Sequence, residues 1–112
     1  SVGNDLMIGG LVISGVAEKQ IYVRALGPSL PGIVSALQDP FLKMVSGEGE
    51  EASLDSWLNS RSADRVLELG LPPTDDREVA ELYQFQQGTY TFQISGVDNT
   101  SGIALLEIFE VE

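Results

Sequence analysis

Tyr90, Phe92 and Ile94 alternate with Thr91, Gln93 and Ser95 along this chain. A period of two sends apolar side chains to one face of an extended strand and polar ones to the other. A loop rich in Asp, Asn, Ser and Gly follows over 97–102, and then a second apolar run of strand length over 103–112. Two such runs joined by turn-forming residues read as a β-hairpin that closes a β-sheet domain.

The rest of the chain extends the pattern. Residues 5–14 predict a first strand, apolar on both faces and softened by Gly9 and Gly10. After a turn over 15–20, residues 21–26 predict a second strand with Ile21, Val23 and Ala25 on one face. Gly27-Pro28-Ser29-Leu30-Pro31-Gly32 ends it, because proline offers no N–H to a ladder. Residues 33–38 read equally as a turn of helix or a short strand. Asp39-Pro40 opens a strand over 41–46, Ser46 to Glu51 is a polar turn, and 52–57 reads as a short strand pairing back. The one helical piece runs over 62–69, where Ala63, Val66 and Leu67 share a face. Ser60 or Ser62 can cap its start, Gly70 stands at the C′ position, and Pro72-Pro73 prevents continuation. Arg77 to Phe85 predicts another strand; Val79 and Leu82 break its alternation, which a bulge would accommodate. Many short strands, Gly/Pro turns and one short helix predict an all-β, antiparallel, jelly-roll-like β-sandwich, a single domain over 1–112 without internal repeats.

Composition narrows the function. At 112 residues, with 43% hydrophobic and 21% charged positions, the chain can bury one real core. No apolar run reaches the roughly 18–20 residues that span a bilayer as a helix, so membrane insertion is not expected. Residues 6–13 come nearest, and with no basic stretch before them they do not read as a signal peptide. A start at Ser1 is expected of a processed or excised form. Seventeen acidic and six basic residues give a net charge of −11, which argues against nucleic acid and anionic membranes as partners. Cys and His are both absent, so a zinc site of the usual kind has no ligands.

The same absences remove most catalysis. Without His there is no Ser–His or Cys–His nucleophile, and the commonest general base is missing. Asp75-Asp76 are adjacent in a turn preceded by proline, which suits an Asx-type backbone bond better than two carboxylates facing across a substrate. The chain is therefore expected not to be an enzyme and to need no cofactor. Glu48, Glu50, Glu51 and Asp55 cluster in sequence, but their spacing matches no calcium loop, and a solvated acidic turn with at most weak calcium binding is the expectation. Trp57 is a candidate sugar-stacking platform, with Tyr22, Tyr83 and Tyr90 as company, set against the commoner role of a core residue. Arg24, flanked by apolar residues inside a strand, needs a carboxylate if buried, and Asp39 is the candidate partner for a structural ion pair. Arg77 beside Asp75, Asp76 and Glu78 reads the same way.

Several pieces carry a resemblance. Val23-Arg-Ala-Leu-Gly-Pro-Ser-Leu30, Asp39-Pro-Phe-Leu42, Leu71-Pro-Pro-Thr-Asp-Asp-Arg-Glu78, Gly88-Thr-Tyr-Thr91 and Thr100-Ser-Gly-Ile-Ala-Leu-Leu-Glu-Ile-Phe109 occur in order across nearly the whole chain. Together they resemble a β-sandwich module found, often near the C-terminus or in tandem, in large secreted proteins of environmental bacteria. That module usually carries an Asn-Asp-Asn-Trp element; here the corresponding stretch is Ser53-Leu-Asp-Ser-Trp57, and Leu54 takes away a polar group that a cation site would use. More distantly, the pattern is similar to bacterial pre-peptidase C-terminal domains. Both likenesses imply an extracellular or cell-surface location and an accessory or adhesive role.

The first strand is the most suggestive element for function. Leu6, Met7, Ile8, Leu11, Val12 and Ile13 make it apolar, and Gly9 and Gly10 make it slim. Packed in its own domain it is an ordinary strand; donated to a neighbour it completes that neighbour's sheet. Head-to-tail donation builds an open filament, whereas a bare apolar edge invites aggregation. The expected function is a non-enzymatic extracellular structural or interaction module. It would self-associate through this strand or serve as a tandem spacer in an adhesive protein, with itself or neighbouring modules as partners. The alternative is a glycan-binding accessory module built around Trp57.

Overall fold

A computed structural model describes residues 7–32, 35–97 and 102–111. Among these residues, seven strands form two antiparallel sheets: β1 (Met7–Ile13), β2 (Lys19–Leu26), β3 (Pro40–Ser46), β4 (Glu51–Leu54), β5 (Val79–Phe85), β6 (Gly88–Gly96) and β7 (Leu105–Val111). A four-stranded sheet has the order β1-β6-β3-β4, and a three-stranded sheet the order β5-β2-β7. The all-β sandwich expected from the alternation is the fold.

The two sheets close on one core because alternate residues of each face inward. Ile21, Val23 and Ala25 of β2, each at most 2% exposed, meet Leu42, Met44, Phe92 and Ile94 from the opposite sheet. An aromatic series links the layers, with Tyr83 stacked on Phe85 and Phe85 stacked on Tyr90 at a centroid distance of 3.8 Å. Half-buried Tyr83 has its phenol pKa raised, first by desolvation and then by the charge of Glu81.

A smaller core lies on the outer face of the three-stranded sheet. There the 3-10 turn Trp57–Asn59 and the helix α1 (Ala63–Glu68) cover Tyr22 and Ala80 with Trp57 and Val66. This second layer explains the broken alternation before Phe85. The β2–β5 register is continuous from Ala25↔Val79 to Lys19↔Phe85, so no bulge exists; Ala80 and Leu82 are apolar because a helix covers them. The helix forms at the expected place, but Val66 and Leu69 pack inward whereas Leu67, expected on the same face as Val66, is exposed. Gly70 (φ 77°) adopts the left-handed turn that glycine tolerates best after a helix end. Ser62 stands at the N-cap position but makes no capping bond, its hydroxyl being engaged elsewhere.

Two further local expectations are corrected. The runs 88–96 and 103–112 do not form a hairpin: β6 pairs with β1 and β3, whereas β7 pairs with β2 in the other sheet. Alternation reports which face of a strand is buried and says nothing of which neighbour takes its hydrogen bonds. The strand expected over 52–57 ends at Leu54, where Ser56 turns the chain into the 3-10 segment by accepting from the Leu58 N–H. In the 33–38 stretch, Ala36 makes an isolated parallel bridge to Ile103; residues 33 and 34 lie outside the described residues.

Candidate functional site

The first strand lies at the edge of the four-stranded sheet. Its inner ladder runs against β6 from Met7↔Ile94 to Ile13↔Gly88, and among the described residues no strand pairs with its other side. Inward-pointing Leu11 and Ile13 join the main core, with Ile13 buried. Ile8 and Val12 point outward and are 62% and 73% exposed. Met7 is also exposed, and Leu6 lies outside the described residues. Gly9 lets the strand lie close over β7, since a Cβ at this position would overlap Leu106 Cδ2. Every residue of the connection 14–18, which crosses to the other sheet, is exposed.

The edge formed by β5 is treated differently. Glu81 sits on the core-facing side of this edge strand, where its Oε1 accepts from the hydroxyls of Ser60 and Ser62. The Ser62 hydroxyl also accepts the Leu82 N–H at 3.0 Å, and the Glu78 carbonyl accepts the Trp57 N–H at 2.9 Å. An inward charge and hydroxyl-satisfied ladder groups block pairing by another chain. Edge β1 carries no charged residue and has no comparable cover among the described residues.

Arg24 finds its carboxylate, but the partner is Glu107 and not Asp39. Arg24 and Glu107 stand opposite each other in the β2–β7 register, and Nε and Nη2 donate to Glu107 Oε1 at 2.9 and 2.5 Å. Asp39 precedes β3 in the other sheet, where its carbonyl accepts the Val97 N–H. The guanidinium also lies 5.6 Å from the Phe109 ring centroid and donates to the Leu71 carbonyl at 3.0 Å. Tyr22 donates to that same carbonyl at 2.7 Å, and burial pushes its phenol pKa up to about 12 against the opposing pull of Arg24. This cluster ties the chain after α1 to the sheet.

Trp57 is 9% exposed and packs in the second core with Tyr22, Val66 and Ala80. A ring enclosed in this way offers no face for a sugar, so the packing corrects the stacking-platform expectation. The acidic turn between β3 and β4 is built on Ser46, whose hydroxyl accepts from the Glu48 and Glu50 N–H groups. Glu18, Glu48, Glu50 and Glu51 line a cleft of about 410 Å³ at this end of the sandwich, but Glu51 bonds Lys43 at 3.3 Å and Asp55 accepts from Asn59. Among the described residues, no three carboxylates converge on a cation position. Asp75 makes the Asx-type bond, accepting the Arg77 N–H at 2.9 Å as well as its guanidinium; these bonds hold its carboxyl below the usual range.

Sequence reasoning missed Glu78. Its carboxylate is fully buried, and Oε2 accepts from the Gly27 N–H, the Ser29 N–H and the Ser29 hydroxyl at 2.8, 2.9 and 2.6 Å. It anchors the Gly27–Ser29 turn to the start of β5. Neither periodicity nor spacing separates this Glu from the solvated acids around it.

These features define the class as a small antiparallel β-sandwich whose edge strand β1 is apolar and, among the described residues, uncovered. The chain matches no protein-family model, no curated protein and no solved structure. No helix among the described residues is long and apolar enough to cross a membrane.

Proposed function

We propose that this domain is a non-enzymatic structural module, working outside the cell or on its surface, that joins copies of itself by exchanging β1. One observation carries the reading. Among the described residues, strand β1 is an apolar edge strand whose outer ladder meets no strand, attached through a wholly exposed connection, while edge β5 is guarded. Removing β1 from its place beside β6 would uncover Ile13, Leu11 and their core neighbours. The slot is therefore refilled, by the domain's own strand or by that of another copy. Both fillings make the same contacts, so their balance is set by concentration. A tethered strand competes at an effective concentration on the order of millimolar, which tandem modules or a crowded surface can match. Head-to-tail exchange then leaves one slot and one strand free at the ends and grows an open filament.

The test is a chain lacking residues 1–14. It should regain native near-UV signal only when a peptide of residues 1–14 is supplied in trans. If that chain folds equally well alone, the slot does not require a strand and the proposal fails.

A further inference from the structure

We infer that Gly9 sets the register of the exchanged strand, and that Leu106 of the receiving copy reads it. This rests on the strand-exchange reading above and names its partner: a second copy of this same chain. In the slot beside β6, the inward positions of β1 are Gly9, Leu11 and Ile13, paired with Phe92, Tyr90 and Gly88. Gly9 is the position where β1 crosses Leu106 on the opposite sheet, and a single added carbon there overlaps Leu106 Cδ2. Side chains alternate with a period of two, so the smallest slip that keeps the apolar face inward moves the strand two residues. Such a slip puts Met7 or Leu11 where Gly9 belongs, against Leu106. The slot thus accepts a Gly-x-Leu-x-Ile stripe in one register and rejects strands with a bulky residue at the first position. Peptide pairing supplies affinity without sequence preference, and this alternate-residue fit supplies the choice of partner. Because Leu106 Cδ2 is the end of a flexible side chain, alanine at position 9 is the mild perturbation and leucine the decisive one.

The chain contains no cysteine, which makes the test direct. Val12 and Thr89 are exposed register partners, so full-length Val12→Cys and Thr89→Cys chains are mixed at high concentration and oxidised. An intermolecular disulfide reports capture of one copy's strand by the other. Gly9→Leu in the Val12→Cys chain should lower its yield by about tenfold or more, as expected of an overpacked site, and Gly9→Ala by less. Leu106→Ala in the Thr89→Cys chain should restore it. That rescue shows that the loss comes from the contact rather than from unfolding of the donor. Disulfide yield that survives Gly9→Leu, or is not rescued by Leu106→Ala, overturns the register assignment while strand exchange stands. If the unsubstituted pair never cross-links between chains, although a chain carrying both cysteines closes internally, exchange itself is refuted.

Discussion

Glu78 joins the turn after β2 to the first residues of β5 through three hydrogen bonds to one carboxylate oxygen. A buried N–H left without a partner costs about 1–3 kcal/mol, so Glu78→Ala, which strands the buried Gly27 N–H and frees the half-buried Ser29 N–H, is expected to cost about 2–4 kcal/mol. Urea midpoints measure this; a change under about 0.5 kcal/mol, the range of ordinary surface substitutions, would contradict the anchoring role. Tyr22 gives a second expectation. Its pKa is raised from 10.0 to about 12 by burial, so the neutral phenol is the form that the fold favours. The associated stability is complete below pH 10 and disappears as pH rises through about 12. Alkaline unfolding curves should show this loss, and Tyr22→Phe should lack the Tyr22 share of it. Arg24 shows how far single residues were legible. A strand-embedded arginine requires a carboxylate, and that requirement is visible locally. Its partner Glu107 is 83 residues away, and only the β2–β7 register brings them together.

At the scale of elements, the two-residue period correctly marked inward faces in β2 and β6, and the helix was marked by Val66 and by Gly70. What the pattern could not carry was pairing. Strands β6 and β7 are consecutive yet lie in different sheets, because each finds its hydrogen bonds with strands from earlier in the chain. The irregular apolar positions of β5 record a covering helix, which local spacing does not distinguish from a bulge. Trp57 is the centre of that cover. Trp57→Ala is expected to cost about 3–5 kcal/mol, as for other large aromatic truncations in a core. Its fluorescence should be blue-shifted in the native state and unmoved by added polysaccharides; a saturable shift would restore the glycan reading. The apolar composition of β1 was legible, but its position was not. Only the topology places it at an edge, and only packing shows that Gly9 lies against Leu106.

For the whole molecule, a net charge of −11 opposes any assembly of identical copies. Screening shortens the reach of that repulsion from about 30 Å at 0.01 M salt to about 8 Å at 0.15 M. Light scattering should therefore show larger particles as salt rises, whereas a purely hydrophilic monomer would not respond. Divalent cations should promote assembly by diffuse screening of the acidic surface, without a built site. The most direct test of self-association by strand exchange is to concentrate the chain to about 1 mM, the range in which a neighbour's strand competes with the tethered one. Size exclusion and negative-stain electron microscopy are then applied with and without millimolar calcium. Strand exchange predicts regular filaments, or a ladder of multiples of the 12.0 kDa chain, growing with concentration. A uniform 12.0 kDa monomer under every condition would contradict it.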